Sequence, residues 1–263
     1  MSIISFIGTG NMSTAIIQGM IDGGFAAHNI IATARTQASL DKASQMGVQT
    51  SLDNQWAIDQ SDVVVVGVKP QMVREVFGAL HFNQQMIISL AAGLPVSLFE
   101  SLCGPRAIVR SMPNTPSLVG QGATGLFANS ATSAGQRELA QSVFQASGLA
   151  RWVDNEQLID AVTAASGSGV AYMFGMIEHM ISGATALGLD EAAARDLIAQ
   201  TMLGAATMTQ RSDEPVGVLR ERVTSKGGTT AQALAHFEEH HWQETIHGAM
   251  RAAYDRAGEL ARS

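Results

Sequence analysis

Hydrophobic positions follow two different patterns along the chain, and the change falls near residue 153. Before it, short apolar runs rich in β-branched residues alternate with amphipathic stretches. These runs are apolar throughout, which is typical of strands that helices cover on both faces. The predicted strands are IISFIG, NIIAT, DVVVVGV, MIISLAA, RAIVR and LARWV. The pattern therefore predicts an α/β domain with a mostly parallel sheet.

After residue 153 the strand pattern stops and long helical segments rich in Ala and Met follow. They are NEQLIDAVTAAS, VAYMFGMIEHMISGATALG, DEAAARDLIAQTMLGAATMTQRS and a last segment from Trp242 to Arg262. Gly188 is expected to end one helix, and Asp190 is the expected N-cap of the next. We therefore predict an α/β domain over residues 1–153 and an all-α domain over residues 154–263.

Several predicted helices are apolar nearly all round. Methionines stand where an isolated surface helix would carry charge, at Met173, Met176, Met180, Met202 and Met208. A helix that is apolar on every face must be buried on every face, and about a hundred residues of helix cannot easily achieve that alone. The pattern favours a homodimer with intertwined helices; the alternative is a Met-filled core within one chain.

Composition narrows the range of partners. The net charge is -7 and the 16 basic residues are scattered, which argues against a nucleic-acid surface and favours a small molecule. No stretch approaches the roughly 20 apolar residues of a membrane span, and the apolar run at the N-terminus indicates a strand rather than a signal peptide. Cys103 is the single cysteine, expected to be a packed hydrophobic residue rather than a catalytic thiol. We expect a cytoplasmic protein that does not bind membranes.

The segment FIGTGNMSTAI places Gly8 and Gly10 between the first strand and a helix predicted to run to about Gly23. In a Rossmann unit the first glycine permits a tight turn, the second lets the backbone approach a pyrophosphate, and the helix start supplies N–H groups. The third fingerprint position is Ser13 rather than Gly or Ala. The flanking strand and helix favour dinucleotide binding over a structural turn. The predicted contacts in this loop are Gly8, Gly10, Asn11 and Met12.

The end of the second strand indicates which dinucleotide binds. An NAD enzyme usually carries Asp or Glu there, whereas this chain has Ala34, Arg35 and Thr36. A guanidinium can pair bidentately with a 2′-phosphate, and a hydroxyl can add to it. The segment therefore favours NADPH, with NADH as a weaker alternative; otherwise Arg35 is a solvated loop residue.

Three later strands end in the loops GVKP, SLAAG and RSMPNTP. Ligands of an open parallel sheet lie beyond the carboxyl ends of its strands, so all three loops are expected to line the cofactor cleft. The predicted contacts are Val68, Lys69, Pro70, Ala91, Ala92, Met112, Pro113 and Asn114.

A second glycine loop, TSKGGTT, interrupts the helical half just before a helix predicted to begin at about Thr230. Ser225 and Thr230 offer hydroxyls, while Gly227 and Gly228 let backbone N–H groups turn inward towards a small carboxylate. From the residues alone, a plain Gly-Gly turn followed by an N-capping Thr is an equal alternative.

Several motifs together resemble the signature of the pyrroline-5-carboxylate reductases, the last enzymes of proline synthesis. The resemblance covers essentially the whole chain. The motifs are the Gly-x-Gly-x-Met loop at Gly8, Gly10 and Met12, VKP at Val68 to Pro70, MPNTP at Met112 to Pro116, SGSG at Ser166 to Gly169, and PVGVLRERVTSKGGTTAQALAHFE. Each piece is unspecific, but their order and spacing are specific to this family.

This resemblance implies NADPH-dependent reduction of 1-pyrroline-5-carboxylate to L-proline by a Rossmann domain joined to a helical dimerisation domain. It implies active sites shared across a homodimer, and relatives also form decamers of five dimers. At matching positions, Ser225, Gly228, Thr229 and Thr230 would hold the substrate carboxylate and ring nitrogen, with Thr230 as the catalytic residue. Asn54 would contact the adenine ribose, and VKP and MPNTP would border the nicotinamide.

The chain departs from many family members at Lys226 and Val170, where proline is commoner. Neither change removes a group that the chemistry needs.

Two other classes fit part of the pattern. A 3-hydroxyacid dehydrogenase would need a catalytic lysine on the helices after the Rossmann domain, but the only lysines are Lys42, Lys69 and Lys226. A regulator that senses NADP without catalysis would keep the first loop and have no use for a second anion site.

A metal site is not predicted. His236 and His240 are four residues apart on one predicted helix face, with His247 further on, but the pattern specifies no third ligand. The neighbouring glutamates indicate a solvated polar face.

Overall fold

The computed structural model describes residues 2–262, so the outer ends of the two predicted domains, residues 1 and 263, lie outside the described residues. The strands are β1 Ile4–Ile7, β2 Ile30–Thr33, β3 Gln49–Ser51, β4 Val63–Val66, β5 Met86–Ser89, β6 Ile108–Met112, β7 Gly122–Ala128 and β8 Gly148–Trp152. The helices are α1 Asn11–Asp22, α2 Gln37–Ser44, α3 Asn54–Asp59, α4 Val73–Gly78, α5 Val96–Cys103, α6 Ala134–Gln145, α7 Leu158–Val162, α8 Gly169–Ala186, α9 Glu191–Arg211, α10 Val216–Arg222, α11 Thr229–Glu239 and α12 Trp242–Arg262.

All eight strands form one sheet in the order β3-β2-β1-β4-β5-β6-β7-β8. The first six are parallel to one another, β7 is antiparallel to β6, and β8 is parallel to β7. The predicted α/β fold with a mostly parallel sheet is confirmed. Two strands, β3 and β7, were not predicted.

Buried side chains cover the sheet on both faces. In β4, Val63 and Val65 belong to one hydrophobic cluster, whereas Val64 and Val66 belong to another. Successive side chains of a strand point to opposite faces, so both faces of β4 must be apolar. This explains why the strand is a continuous apolar run in the sequence.

Contacts group the chain into two compact units. One unit contains the chain up to Val170 together with the part from Ala252 onward, and the other is Ala171–Arg251. The boundary predicted after residue 153 follows a different criterion, the end of the last strand, and stays a prediction.

The second unit, Ala171–Arg251, has few buried apolar side chains of its own. Its buried hydrophobic residues are Ala194 and Ile198, whereas Met173, Met180 and Met208 are exposed. Within the described residues 171–251, these methionines therefore do not fill a core. Asp190 caps α9 as predicted, because its carboxylate accepts hydrogen bonds from the backbone N–H groups of Ala192 and Ala193 at 3.1 and 3.2 Å.

None of the described helices is both long enough and apolar enough to cross a membrane.

Cys103 lies at the end of α5 in a hydrophobic cluster of the first unit. Burial raises the pKa of its thiol from 9.0 to about 11, and the nearby Arg106 guanidinium opposes this shift only in part. The reactive form of a cysteine is the thiolate, so the thiol is expected to be inert, as the sequence predicted.

Native protein at pH 8 is expected to react with a thiol reagent far more slowly than urea-unfolded protein. Because the folded-state pKa is raised, the thiol's contribution to stability is complete below pH 9 and is lost as the pH rises to about 11. Urea unfolding between pH 8 and pH 11, compared with Cys103→Ala, measures this contribution. Equal reagent rates for folded and unfolded protein would contradict the assignment.

Candidate functional site

Two glycines shape the turn between β1 and α1. Gly8 has a φ of 99°, and a Cβ there would lie 2.8 Å from the backbone nitrogen of Val68. Gly10 is the N-cap of α1 and, because it has no side chain, leaves the first N–H groups of the helix uncapped. A Cβ on Gly10 would meet no heavy atom within 4 Å. The start of α1 therefore presents uncapped N–H groups beside open space, an arrangement that suits a phosphate.

A cleft of about 500 Å³ opens beside this turn, where β1, β2 and β4 end. The predicted cofactor residues that line it are Gly8, Gly10, Arg35, Thr36, Asn54, Val68 and Lys69. Residues from four separate segments thus converge on one cavity at the carboxyl edge of the sheet, where such folds bind nucleotides.

The other predicted cofactor residues lie outside this lining, namely Asn11, Met12, Pro70, Ala91, Ala92, Met112, Pro113 and Asn114. Met12 packs against a buried cluster, and Ala91 is buried with its N–H donated to Ser89 Oγ at 3.2 Å. Pro70 and Ala92 line a neighbouring hollow of about 410 Å³ together with Arg74. The prediction that these residues contact the cofactor stays a prediction.

Several lining residues were missed by sequence reasoning, namely Thr9, Thr33, Ser39, Leu52, Met72 and Val76. Gly67, which also lines the cleft, belongs to the predicted GVKP loop. The apolar ones among the missed residues carry no chemical signal in a sequence, yet they give the cleft a surface on which an adenine ring can pack. Leu52 is 57% exposed and lines the cleft. Ser39 could have been found, because it lies within one helical turn of Thr36.

Two hydroxyl side chains, Thr36 and Ser39, and the side chain of Arg35 line the part of the cleft that follows β2. Thr36 Oγ1 lies 3.0 Å from Ser39 Oγ, and Thr36 is the N-cap of α2 without a side-chain cap hydrogen bond. With the exposed Arg35 beside them, these groups offer a cation, two hydroxyls and uncapped N–H groups to an anion. Asn54, on the same cleft, is held by Thr33 Oγ1, which donates to Asn54 Oδ1 at 2.6 Å.

The segment after β6 is pinned by Asn114. Its amide nitrogen donates to the carbonyl of Ser166 at 3.1 Å, and its amide oxygen accepts from the N–H of Ala123 at 2.8 Å. Ser166 lies in a π-helical turn, Thr163–Gly167, and such turns are frequent at functional sites. The Asn114 side chain therefore positions its segment through both ends of its amide.

The late glycine loop lies in the second unit and forms a tight turn. The N–H of Gly228 donates to the carbonyl of Ser225 at 3.0 Å, and Gly227 has a φ of 73°. Gly228 is the N-cap of α11 without a side-chain cap, and a Cβ on it would overlap Ser225 Oγ. The Ser225 hydroxyl therefore lies close to the uncapped start of α11, as the anion-site prediction requires.

The turn also accounts for Lys226, one of the two positions where proline is commoner in the family that the sequence resembles. A positive φ at its third residue, Gly227, is typical of a type II turn, in which proline is favoured at the second residue. That residue is the exposed Lys226. Val170 is the second residue of α8, which begins one residue after the π-helical turn Thr163–Gly167.

Comparison with known proteins found two family models that match this chain. Residues 156–260 match a family model described as pyrroline-5-carboxylate reductase dimerisation, and residues 3–93 match one described as NADP oxidoreductase, coenzyme F420-dependent. The pyrroline-5-carboxylate reductase of Haemophilus influenzae is 43% identical, over 98% of this chain and 97% of that protein.

Solved structures agree with these matches. A pyrroline-5-carboxylate reductase from Coxiella burnetii has a TM-score of 0.92 at 40% identity, covering 100% of this chain and 99% of that chain. The Plasmodium falciparum pyrroline carboxylate reductase, solved with NADP bound, has a TM-score of 0.86 at 25% identity, covering 99% and 98%.

A glycine-loop cleft at the carboxyl edge of a Rossmann-type sheet, joined to a helical dimerisation region, defines an NADP-dependent oxidoreductase. Within this class, the chain belongs to the pyrroline-5-carboxylate reductase family.

Proposed function

We propose that this protein reduces 1-pyrroline-5-carboxylate to L-proline with NADPH as the reductant. The observation that carries the proposal is that α1 and α11 each begin behind a glycine turn without a side-chain cap. Uncapped helix starts bind anions. The first suits the pyrophosphate of a dinucleotide and the second suits the single carboxylate of a small cyclic imine.

Each group of the late loop has a separate task in this proposal. The Ser225 hydroxyl and the N–H groups of Gly228 and Thr229 bind the substrate carboxylate, while Gly227 permits the turn. The Thr230 hydroxyl hydrogen-bonds the ring nitrogen and so fixes the orientation of the C=N bond. NADPH supplies the hydride that the C=N carbon receives.

Proton transfer needs no strong acid from the protein, because water can protonate an imine nitrogen near neutral pH. The loops assigned to the site accordingly contain no His, Asp or Glu; they are residues 8–12, 68–70, 91–93, 112–116 and 225–230. Catalysis then rests on orientation of the substrate.

The direct test follows NADPH and NADH oxidation spectroscopically with 1-pyrroline-5-carboxylate and identifies L-proline as the product. We expect turnover with both reductants and a higher kcat/KM with NADPH. NADPH binding without consumption would instead indicate a protein that only senses NADP, and the proposal would fail.

Replacing Thr230 with alanine should lower kcat/KM for the imine by about 10- to 100-fold, the loss expected for one hydrogen bond to a polar or charged group. NADPH affinity, measured by fluorescence titration, should stay unchanged. The control is Thr224→Ala, because the Thr224 hydroxyl already donates to the carbonyl of Arg220 at 2.7 Å. Normal turnover by Thr230→Ala would remove Thr230 from the site.

Replacing Arg35 with alanine should weaken NADPH binding by about tenfold or more and leave NADH binding nearly unchanged. The reason is that only NADPH carries the 2′-phosphate that a guanidinium can hold bidentately. Equilibrium titrations with both dinucleotides measure the ratio, with Arg151→Ala on the edge strand β8 as an exposed control. Equal losses of affinity for NADPH and NADH would show that Arg35 contacts a part of the dinucleotide that both share.

The proposal includes a homodimer with shared active sites. Apolar side chains exposed on α8 and α9, among them Phe174, Leu197 and Leu203 at 58% to 65%, need a covering surface, and a second copy supplies one of matching character. Sedimentation should give a dimer as the smallest species, and a decamer of five dimers is the larger assembly to be distinguished. A cytoplasmic location is also proposed, because the buried Cys103 thiol is unpaired, as in a reducing compartment.

A further inference from the structure

Two histidines and one glutamate cluster at the carboxyl end of α11, far along that helix from the residues proposed to bind substrate. His236, Glu239 and His240 occupy one face, because residues three and four positions apart are neighbours on a helix. Their ligand atoms all lie within 4.8 Å of one another. We propose that this cluster binds a divalent transition-metal ion, with Zn²⁺ as the representative ion.

The ligand types select the class of metal. Two imidazoles and one carboxylate suit Zn²⁺, Ni²⁺ or Cu²⁺, whereas Mg²⁺ and Ca²⁺ prefer sites made of oxygen atoms. Zn²⁺ holds its ligands at about 2.0–2.2 Å, so donors on one tetrahedral ion lie about 3.4 Å apart. All three side chains are exposed, and rotation of their side chains closes the remaining distance.

The histidine rings are already arranged for this role. The His236 and His240 ring centroids are 4.2 Å apart. His240 Nδ1 lies 2.8 Å from the carbonyl oxygen of His236, and because a carbonyl only accepts, Nδ1 must carry the hydrogen. The lone pair of the neutral ring is then on Nε2, and a hydrogen bond from the other ring nitrogen is the usual way in which proteins orient a metal-binding histidine.

The surroundings favour a cation and hold the helix end in place. The last carbonyls of α11 form the negative end of its dipole, and Glu238 and Glu244 add negative charge nearby in sequence. Phe237 packs against Trp242 across the turn into α12, with ring centroids 4.4 Å apart. The sequence predicted no metal site because its pattern specified no third ligand; the structure identifies that third group as Glu239.

The experiment titrates ZnCl₂ into full-length protein without a histidine tag, using isothermal calorimetry and competition with a chromophoric chelator. We expect one Zn²⁺ per chain, no binding of Mg²⁺, and about tenfold or greater loss of Zn²⁺ affinity in His236→Ala and in His240→Ala. Glu239→Gln should lose less, because a carboxamide oxygen remains a weak ligand.

The matched control is His179→Ala, which removes an exposed histidine of α8 and should leave Zn²⁺ affinity unchanged. Circular dichroism on each variant checks that α11 is intact. Absence of Zn²⁺ binding by the parent protein, or binding that survives both His236→Ala and His240→Ala, would overturn the proposal. None of these residues belongs to the proposed cofactor or substrate sites, so this outcome is independent of the reductase assay.

Discussion

Gly8→Ala should destabilise the first unit by about 3 kcal/mol and abolish measurable NADPH binding. The φ of 99° at Gly8 is strained for any residue with a side chain. The added methyl would also lie 2.8 Å from the backbone nitrogen of Val68 and 2.9 Å from its Cγ1. Because the nearest atom is backbone, the strand-end segment at Val68 would have to move. Urea unfolding at fixed protein concentration and NADPH titration measure the two effects.

Gly10→Ala is the matched control, since it adds the same methyl two residues away. That methyl would meet no heavy atom within 4 Å, so the free energy of unfolding should change by less than about 1 kcal/mol. NADPH affinity should still fall by about tenfold or more, because the methyl occupies the space in front of α1. Normal stability of Gly8→Ala would contradict the strain argument. Normal NADPH binding by Gly10→Ala would contradict the pyrophosphate assignment.

Four of the strands that sequence reasoning found, β1, β2, β4 and β5, are buried at every position and are continuous apolar runs. The edge strand β8 was also found, although most of its positions are not fully buried. The missed strand β3 has just three polar residues, Gln49–Ser51, at the edge of the sheet. The missed strand β7 is broken by glycines. Gly125 is needed because a Cβ there would lie 2.7 Å from the methyl groups of Val162, a packing constraint that arises only after α7 has docked. Such constraints are tertiary and leave no local pattern.

The site shows the same division between local and tertiary information. The turns at Gly8 and Gly227 and the place of Arg35 in the cleft lining were predictable, because glycines, helix starts and charges act over a few residues. Their roles in binding stay predictions. Leu52 and Val76 were not predictable, since an apolar residue that lines a cleft looks like one that fills a core. The role of Asn114 depends on a π-helical turn about fifty residues later, and its pairing with Ser166 has no sequence signal.

Arg110 belongs to a segment that the sequence assigned to a loop, but its side chain has a structural role in a buried ion-pair network. The segment RSMPNTP was predicted to line the cofactor cleft, but β6 continues to Met112, and the Arg110 side chain is buried away from the cleft lining. Arg110 pairs with Glu156 at 3.2 Å and with Asp160 at 2.9 Å. Glu156 also accepts the N–H of Val96 at 2.8 Å. The three charges thus connect β6 and the start of α5 with α7 and the segment that leads into it.

Arg110→Met should therefore cost about 3 kcal/mol of stability, measured as the free energy of urea unfolding. The cost arises because two carboxylates, with side chains only 24% and 14% exposed, lose their counter-ion. The control is Arg222→Met. Arg222 pairs with Glu214, but its side chain is 63% exposed, so water replaces the partner and the loss should stay below about 1 kcal/mol.

Neutralising the carboxylates separates loss of charge balance from loss of packing. If unpaired charge causes the effect, Arg110→Met combined with Glu156→Gln and Asp160→Asn should recover most of the lost stability, since replacing a whole buried ion network is often nearly neutral. If packing of the long arginine side chain dominates, the triple variant should stay as unstable as Arg110→Met alone. Equal losses of stability in Arg110→Met and Arg222→Met would show that burial does not determine how much the Arg110 network contributes to the free energy of unfolding.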